Sequence, residues 1–269
     1  MGKEVAQFYD GDPCKEFDRL EDPYNRFEFL TTLDLINEYF PKDATVCDIG
    51  SGPGKYALEL LSRGDQVTLI DLSQELIDLA RKKIQERSFQ DRAQVFCANA
   101  QDLSMLQSEE FDCVLVLGPM YHLLKKEERH SALKEAHRVL KKGGVGIVAY
   151  LNSWGIIRYG LERFSRRYKD KAFLESLLGE VALEGCFENF TECFWSTPPQ
   201  AISELEAAGF KVVDQAGCEG FAAGMKPAIR RVAAEEPTAY ANICELMPKT
   251  ARLPQYRDTA EHIHFVVTK

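Results

Sequence analysis

No stretch of this chain stays apolar for the roughly 20 residues that a membrane-spanning helix requires. Its N-terminus, MGKEVAQFYDGD, also lacks the apolar centre of a signal peptide. Both absences make a soluble, cytoplasmic protein the expectation. Cysteines stand at 14, 47, 97, 113, 186, 193, 218 and 244, but no two form a CxxC pair. Cys47, Cys97 and Cys113 fall within expected buried strands, so the set reads as small core residues in a reducing compartment, not as a disulfide or zinc framework. Positive charge is scarce: 33 Lys and Arg against 42 Asp and Glu leave a net charge of -9. Gripping a phosphate backbone relies on many Lys and Arg contacts, so this balance points to small molecules or proteins as partners and away from nucleic acid. Internal repeats and low-complexity linkers are missing as well.

What is present is a long alternation of elements. A helix is expected over 26–40, where Phe27, Leu30, Leu33, Leu35, Ile36 and Phe40 keep mostly helical spacing and Pro41 stops the run. Strands at 44–49, 66–71, 93–98, 111–117 and 144–150 then alternate with helices at 54–63, 73–87 and 126–141. VTLIDL, QVFCA, DCVLVL and GVGIVAY are continuous apolar runs, the mark of parallel strands covered on both faces. The fold class is α/β with a doubly wound sheet. After Tyr150 the alternation breaks into helix-like stretches, WGIIRYGLERFSRRY and AFLESLLGEVAL, which read as an inserted cap. It resumes with a helix that Ser196 or Thr197 can cap and Gly209 can end, followed by the strand KVVDQAG, a further helical region near 226–248 and the strand-like HIHFVVTK.

The segment DIGSGPGKY, Asp48 to Tyr56, follows the first strand and opens the next helix. Such a turn brings bare backbone N–H groups and a positive helix end against a ligand. Gly50, Gly52 and Gly54 fall as GxGxG, with Lys55 where the dinucleotide fingerprint GxGxxG has its last glycine. Asp48 precedes the glycines, and Asp71 ends the second strand where a carboxylate can accept from both ribose hydroxyls. The set suits a single nucleoside with a polar or zwitterionic tail better than a pyrophosphate.

With these pieces in place, the chain resembles the class I S-adenosylmethionine-dependent methyltransferases over roughly residues 26–150. The likeness is carried by VCDIGSGPGKY, VTLIDLSQELIDLARKK, ANAQDL, FDCVLVLGPMYHL and HRVLKKGGVGIVAY. GPMYHL and EAHRVLKKGG narrow it to bacterial small-molecule methyltransferases of the broad ubiquinone-biosynthesis type. The resemblance implies a Rossmann-like sheet of about seven strands, mostly parallel with an antiparallel last strand. It divides the chain into an N-terminal helical lid (1–42), a cofactor-binding core (43–150), a helical cap over the acceptor site (151–195) and a C-terminal completion of the sheet with a helical insertion (196–269). S-adenosylmethionine would be the cofactor and S-adenosylhomocysteine the product. Gly50, Ser51 and Gly52 would lie against the methionine part, with Gly54 in the same loop and Asp48 organising it. Asp71 would hold the ribose, and Leu72 would pack on the adenine. Asn99 and Ala100 stand where the family has an Asp-Ala pair for the adenine edge, with Gln101 and Asp102 in reserve and Leu117 at the end of the fourth strand. Tyr9, Tyr24 and Arg26 would be lid contacts.

Methyl transfer is an in-line displacement that needs an aligned acceptor with an unprotonated lone pair. Residues 118–122 leave the fourth strand at the carboxyl ends of the sheet, which makes His122 the candidate base and Tyr121 its neighbour. Trp154, Arg158, Tyr159 and Arg163 belong to the cap, whose run RYGLERFSRRYKDK carries six basic residues. Glu219, His262 and His264 follow or lie on later strands, and the spacing puts both histidines on one strand face. No ligand set beside them completes a metal site. The expected function is methyl transfer to a small-molecule acceptor, with nitrogen, oxygen, sulfur and carbon all open. The alternatives are a non-catalytic S-adenosylmethionine-binding sensor or partner protein, favoured by Asn99, and a nicotinamide-dependent oxidoreductase, which wants the glycine missing at position 55.

Overall fold

A computed structural model describes residues 2–185 and 190–269. The N-terminal segment forms α1 (Lys3–Asp10), α2 (Pro13–Asp18) and α3 (Arg26–Tyr39). Asp12 caps α2 by accepting from the Lys15 N–H. The core follows as β1 (Thr45–Ile49), α4 (Lys55–Arg63), β2 (Gln66–Asp71), α5 (Gln74–Glu86), β3 (Ala93–Cys97), β4 (Phe111–Val116), α6 (Lys126–Val139) and β5 (Leu140–Asn152). Gly64, at φ 110°, ends α4, and the Ser73 side chain caps α5 at the Leu76 N–H. The cap contains α7 (Ser153–Arg163), α8 (Lys171–Ser176), β6 (Val181–Leu183) and β7 (Cys193–Ser196). Then come α9 (Pro198–Ala207), β8 (Lys211–Gly217), α10 (Lys226–Glu235), α11 (Pro237–Ala251), α12 (Pro254–Arg257) and β9 (His262–Thr268). Thr197 caps α9 through a capping box with Gln200.

The sheet runs β3-β2-β1-β4-β5, with β9 antiparallel to β5 and β8 antiparallel to β9. Seven strands therefore make the expected α/β core, parallel in its first five and antiparallel in its last. Alternation sends Val46, Cys113 and Leu115 to the face covered by α3 and α4, and Cys47, Val114 and Val116 to the face covered by α6 and α9. Leu35, Leu58 and Leu61 fill the first layer, and Leu133, Val139 and Leu205 the second.

Two expectations give way here. Cys97 is exposed because β3 is the outer strand of the sheet, so only one of its long edges is paired. The cap is not wholly helical: β6 and β7 pair antiparallel, and β7 joins the end of β5 at Leu151 and Asn152. The β-favouring run CFWS is fully buried there, which a helix with one wet face would not allow. Cys186 lies outside the described residues, and the other seven thiols are free.

Candidate active site

A cavity opens at the carboxyl ends of β1, β2 and β4, the place where open α/β sheets bind their ligands. Its floor is the glycine loop. Gly50 has φ 76°, and a Cβ there would stand 2.4 Å from Pro119 Cδ, so only glycine lets the loop after β4 close against it. Gly52, at φ 54°, faces the cavity with nothing within 4 Å of where a Cβ would sit. Gly54 does not line the cavity: it precedes α4 at φ 83° and packs toward Leu69.

Two carboxylates lie beside the loop. Asp71 accepts from the Gly52 N–H at 2.8 Å and from the Ser73 N–H at 2.9 Å. Asp48 is buried, and its Oδ2 has no hydrogen-bond partner among the described residues. Burial, followed by the nearby Asp71, pushes Asp48 up to about 7. An orphaned acceptor lining a cavity is a place for a ligand's donor, and the ammonium and ribose hydroxyls of S-adenosylmethionine are such donors. On the adenine side Leu72 is partly exposed, and Ala100 and Leu117 complete the wall. The Asn99 carbonyl oxygen is turned inward, accepting from the Gln101 N–H at 3.0 Å and from its side-chain amide at 3.3 Å. The Gln101 side chain, held by that bond, lines the cavity beside Asn99. Ser51 lines the cavity beside the glycines, and Asp102 does not.

The N-terminal segment covers this cavity. Asp10 accepts from the Ser73 hydroxyl, and the Tyr9 hydroxyl meets His122 Nε2 at 2.9 Å. His122 Nδ1 lies 3.1 Å from the Glu192 carbonyl, which can only accept, so Nδ1 carries the proton and Nε2 accepts from Tyr9. Burial, against that single hydrogen bond, pushes His122 down to about 4, which keeps the ring neutral. Tyr121 donates to the Leu117 carbonyl at 2.8 Å. Arg26 sits outside: its guanidinium reaches the exposed Glu21, because position 26 is on the opposite side of α3 from the buried Glu28.

A second cavity adjoins the first, and the two share Tyr9, Glu16, Arg19, Glu28 and Tyr121. It extends beneath the cap to Tyr24, Tyr159, Arg163, Lys226, Glu219 and His262. Arg19 bridges the junction, donating to Glu28 at 2.7 and 3.2 Å and to Glu16 at 2.8 Å. Burial would raise Glu28, but Arg19 and then His262 outweigh it and hold the carboxyl at about 2. His264 does not join this wall: it is buried against the Thr32 hydroxyl at 3.2 Å. Arg19 and Glu28 were not foreseen. Glu28 is legible in retrospect, since it shares a helical face with the core residues Thr32 and Leu35.

Residues 46–144 match the family described as a methyltransferase domain. The tRNA 5-carboxymethoxyuridine methyltransferase of Escherichia coli (strain K12) is 23% identical over 95% of this chain and 96% of its own length. The ubiquinone/menaquinone biosynthesis C-methyltransferase of Rickettsia typhi is 29% identical over 48% of this chain and 56% of its own. Among solved structures, a 1,6-didemethyltoxoflavin-N1-methyltransferase of Burkholderia thailandensis with bound S-adenosylhomocysteine superposes with a TM-score of 0.55 at 16% identity, covering 100% of this chain and 90% of its own. The near end-to-end match to a tRNA-modifying enzyme overturns the expectation of a small-molecule partner with nucleic acid disfavoured. A net charge averages over the whole surface, and six basic residues fall within 158–171 of the sequence.

Proposed function

Since this chain is a class I S-adenosylmethionine-dependent methyltransferase, we propose that its acceptor is a carboxylate on a modified nucleotide of tRNA, and that it works in the cytoplasm. The observation that carries this reading is the junction between the cavities. The groups shared by the two cavities are held by burial or by ion pairs. Burial first, then neighbouring charge, raises Tyr9 and Tyr121, so both stay protonated. Arg19 stays charged, Glu28 at about 2 is too weak a base, and Glu16 is tied to Arg19. The adjacent His122 is equally weak at about 4, and its one acceptor nitrogen is taken by Tyr9. A junction that offers no free base favours an acceptor whose lone pair is already free, and a carboxylate is one. 5-Carboxymethoxyuridine, named for the Escherichia coli relative, carries such a group.

Bound S-adenosylmethionine supplies a methyl group activated on a sulfonium. The protein's part is to hold the two reactants in line. Asp71 would take the ribose hydroxyls, Asp48 the ammonium, and Gln101 the adenine edge. Tyr9, fixed by His122, closes the junction against water. A carboxylate oxygen forms the new O–C bond as the C–S bond breaks and its electron pair returns to sulfur. The product is a neutral ester, and no proton has to be disposed of.

The test is incubation of the purified protein with S-adenosylmethionine and tRNA bearing 5-carboxymethoxyuridine, followed by mass spectrometry of the digested nucleosides. An alkali-labile methyl ester is expected. Methylation at nitrogen or carbon, or no transfer, overturns the reading.

A further inference from the structure

The second cavity contains a charged pair that the junction chemistry leaves unused. Glu219, in the turn after β8, is buried, and both its oxygens are committed. Oε2 accepts from the backbone N–H groups of Glu261 and His262 at 3.0 and 3.1 Å, and Oε1 meets His262 Nδ1 at 2.6 Å. The carboxylate cannot turn away, so it fixes both the position of the imidazole and the proton on Nδ1. His262 lines the cavity, and its Nε2 has no hydrogen-bond partner among the described residues. The nearest carboxylate oxygen, Glu28 Oε2, is 4.0 Å away, beyond hydrogen-bonding distance.

We propose that the His262 imidazolium, held by Glu219, anchors the acceptor's carboxylate through Nε2–H. This deepens the carboxylate reading given above and rests on it. Glu28 belongs to the junction, so a group bound at Nε2 sits beside the place of transfer. One carboxylate oxygen accepts from His262 while the other remains free to attack. The remaining acids of the cavity do not compete for the site. Glu16 and Glu28 are both held by Arg19, and Glu261 accepts from the Tyr24 hydroxyl and the Gly224 N–H. Two further cations, Lys226 and Arg163, line the same cavity and add to its attraction for an anion.

The anchor has a pH signature. Burial lowers the affinity of His262 for its proton, but Glu219 and then Glu28 outweigh it and raise the group to about 9. Arg19 opposes them, and His264 on β9 and Glu261 just before it also feel the ring's charge. Carboxylate affinity is therefore full at neutral pH and is lost as pH rises through about 9. Without the Glu219 charge, the loss moves to lower pH.

The full chain, labelled with nitrogen-15 at histidine and saturated with S-adenosylhomocysteine, is titrated with the nucleoside 5-carboxymethoxyuridine and separately with its methyl ester. His262→Gln identifies the ring resonances. The nucleoside, and not the ester, is expected to shift the His262 resonances. Its affinity should fall at least about ten-fold in His262→Gln, the worth of a charge-assisted hydrogen bond. In Glu219→Gln, the alkaline loss of binding should begin at lower pH. Unmoved resonances, equal binding of the ester, or unchanged affinity in His262→Gln would each overturn the anchor. If the resonances respond but tRNA is not methylated, the anchor stands and the tRNA reading falls.

Discussion

A carboxylate buried without a partner weakens the fold that buries it, and Asp48 is one. Its folded value of about 7 lies above the ordinary one, so the folded chain gains from keeping the proton. That gain is present below about pH 4, the unfolded value, and is lost as pH rises through the folded one. Asp48→Asn removes the loss. Thermal unfolding without cofactor should show the variant melting several degrees above wild type at pH 8 and level with it near pH 4, while calorimetry shows weaker S-adenosylmethionine binding. Equal melting at pH 8 would mean that the buried charge is relieved elsewhere. The same loop permits a cleaner separation of binding from folding at Gly52. A Cβ there has no protein atom within 4 Å and enters the cavity, at a backbone cost of about 1–2 kcal/mol. Gly52→Val should keep its circular dichroism spectrum and lose cofactor binding. Gly50, Gly52 and Asp71 were readable in the sequence because their geometry is local to one strand, turn and helix. The hydrogen bond between Asn99 and Gln101 was not, because spacing alone does not say how two neighbouring amides turn.

Among the elements, α6 and α9 are tied by Arg129, which is buried, paired with Glu204 at 2.6 Å and stacked 3.5 Å from the Phe194 ring centre. The same guanidinium donates to the carbonyls of Leu123 and Leu124, at the end of the loop that carries Tyr121 and His122. A packing contact thus fixes the junction. Arg129→Met strands the Glu204 charge and should cost about 3–5 kcal/mol, whereas Arg129→Met with Glu204→Leu should recover much of it. Chemical denaturation of the two variants checks this, and equal losses in both would point to packing instead of charge. The doubly wound order was legible because parallel strands are continuous apolar runs at regular spacing. The strands β6 and β7 were not, because their burial depends on the end of β5, some forty residues earlier in the chain.

At the scale of the whole molecule, the second cavity draws Arg19, Glu28, Glu219 and His262 from both ends of the chain. Spacing within a segment cannot announce such a meeting, so the glycine loop was readable and the second cavity was not. The charge distribution follows the same division. The chain carries -9 overall, yet Lys169 and Lys171 are exposed on the cap, next to the helix whose Tyr159 and Arg163 line that cavity. A nucleotide whose carboxylate enters the cavity brings its flanking phosphates over this surface. The pairing of Lys171 with the exposed Glu175 is too weak to withhold it. Reversing both charges, Lys169→Glu with Lys171→Glu, should raise KM for tRNA several-fold and flatten its dependence on salt by about one to two phosphate contacts. Binding of the isolated nucleoside should be unchanged, because it brings no backbone. If nucleoside and tRNA weaken together, the substitutions have disturbed the cavity; if neither changes, the tRNA backbone crosses another face.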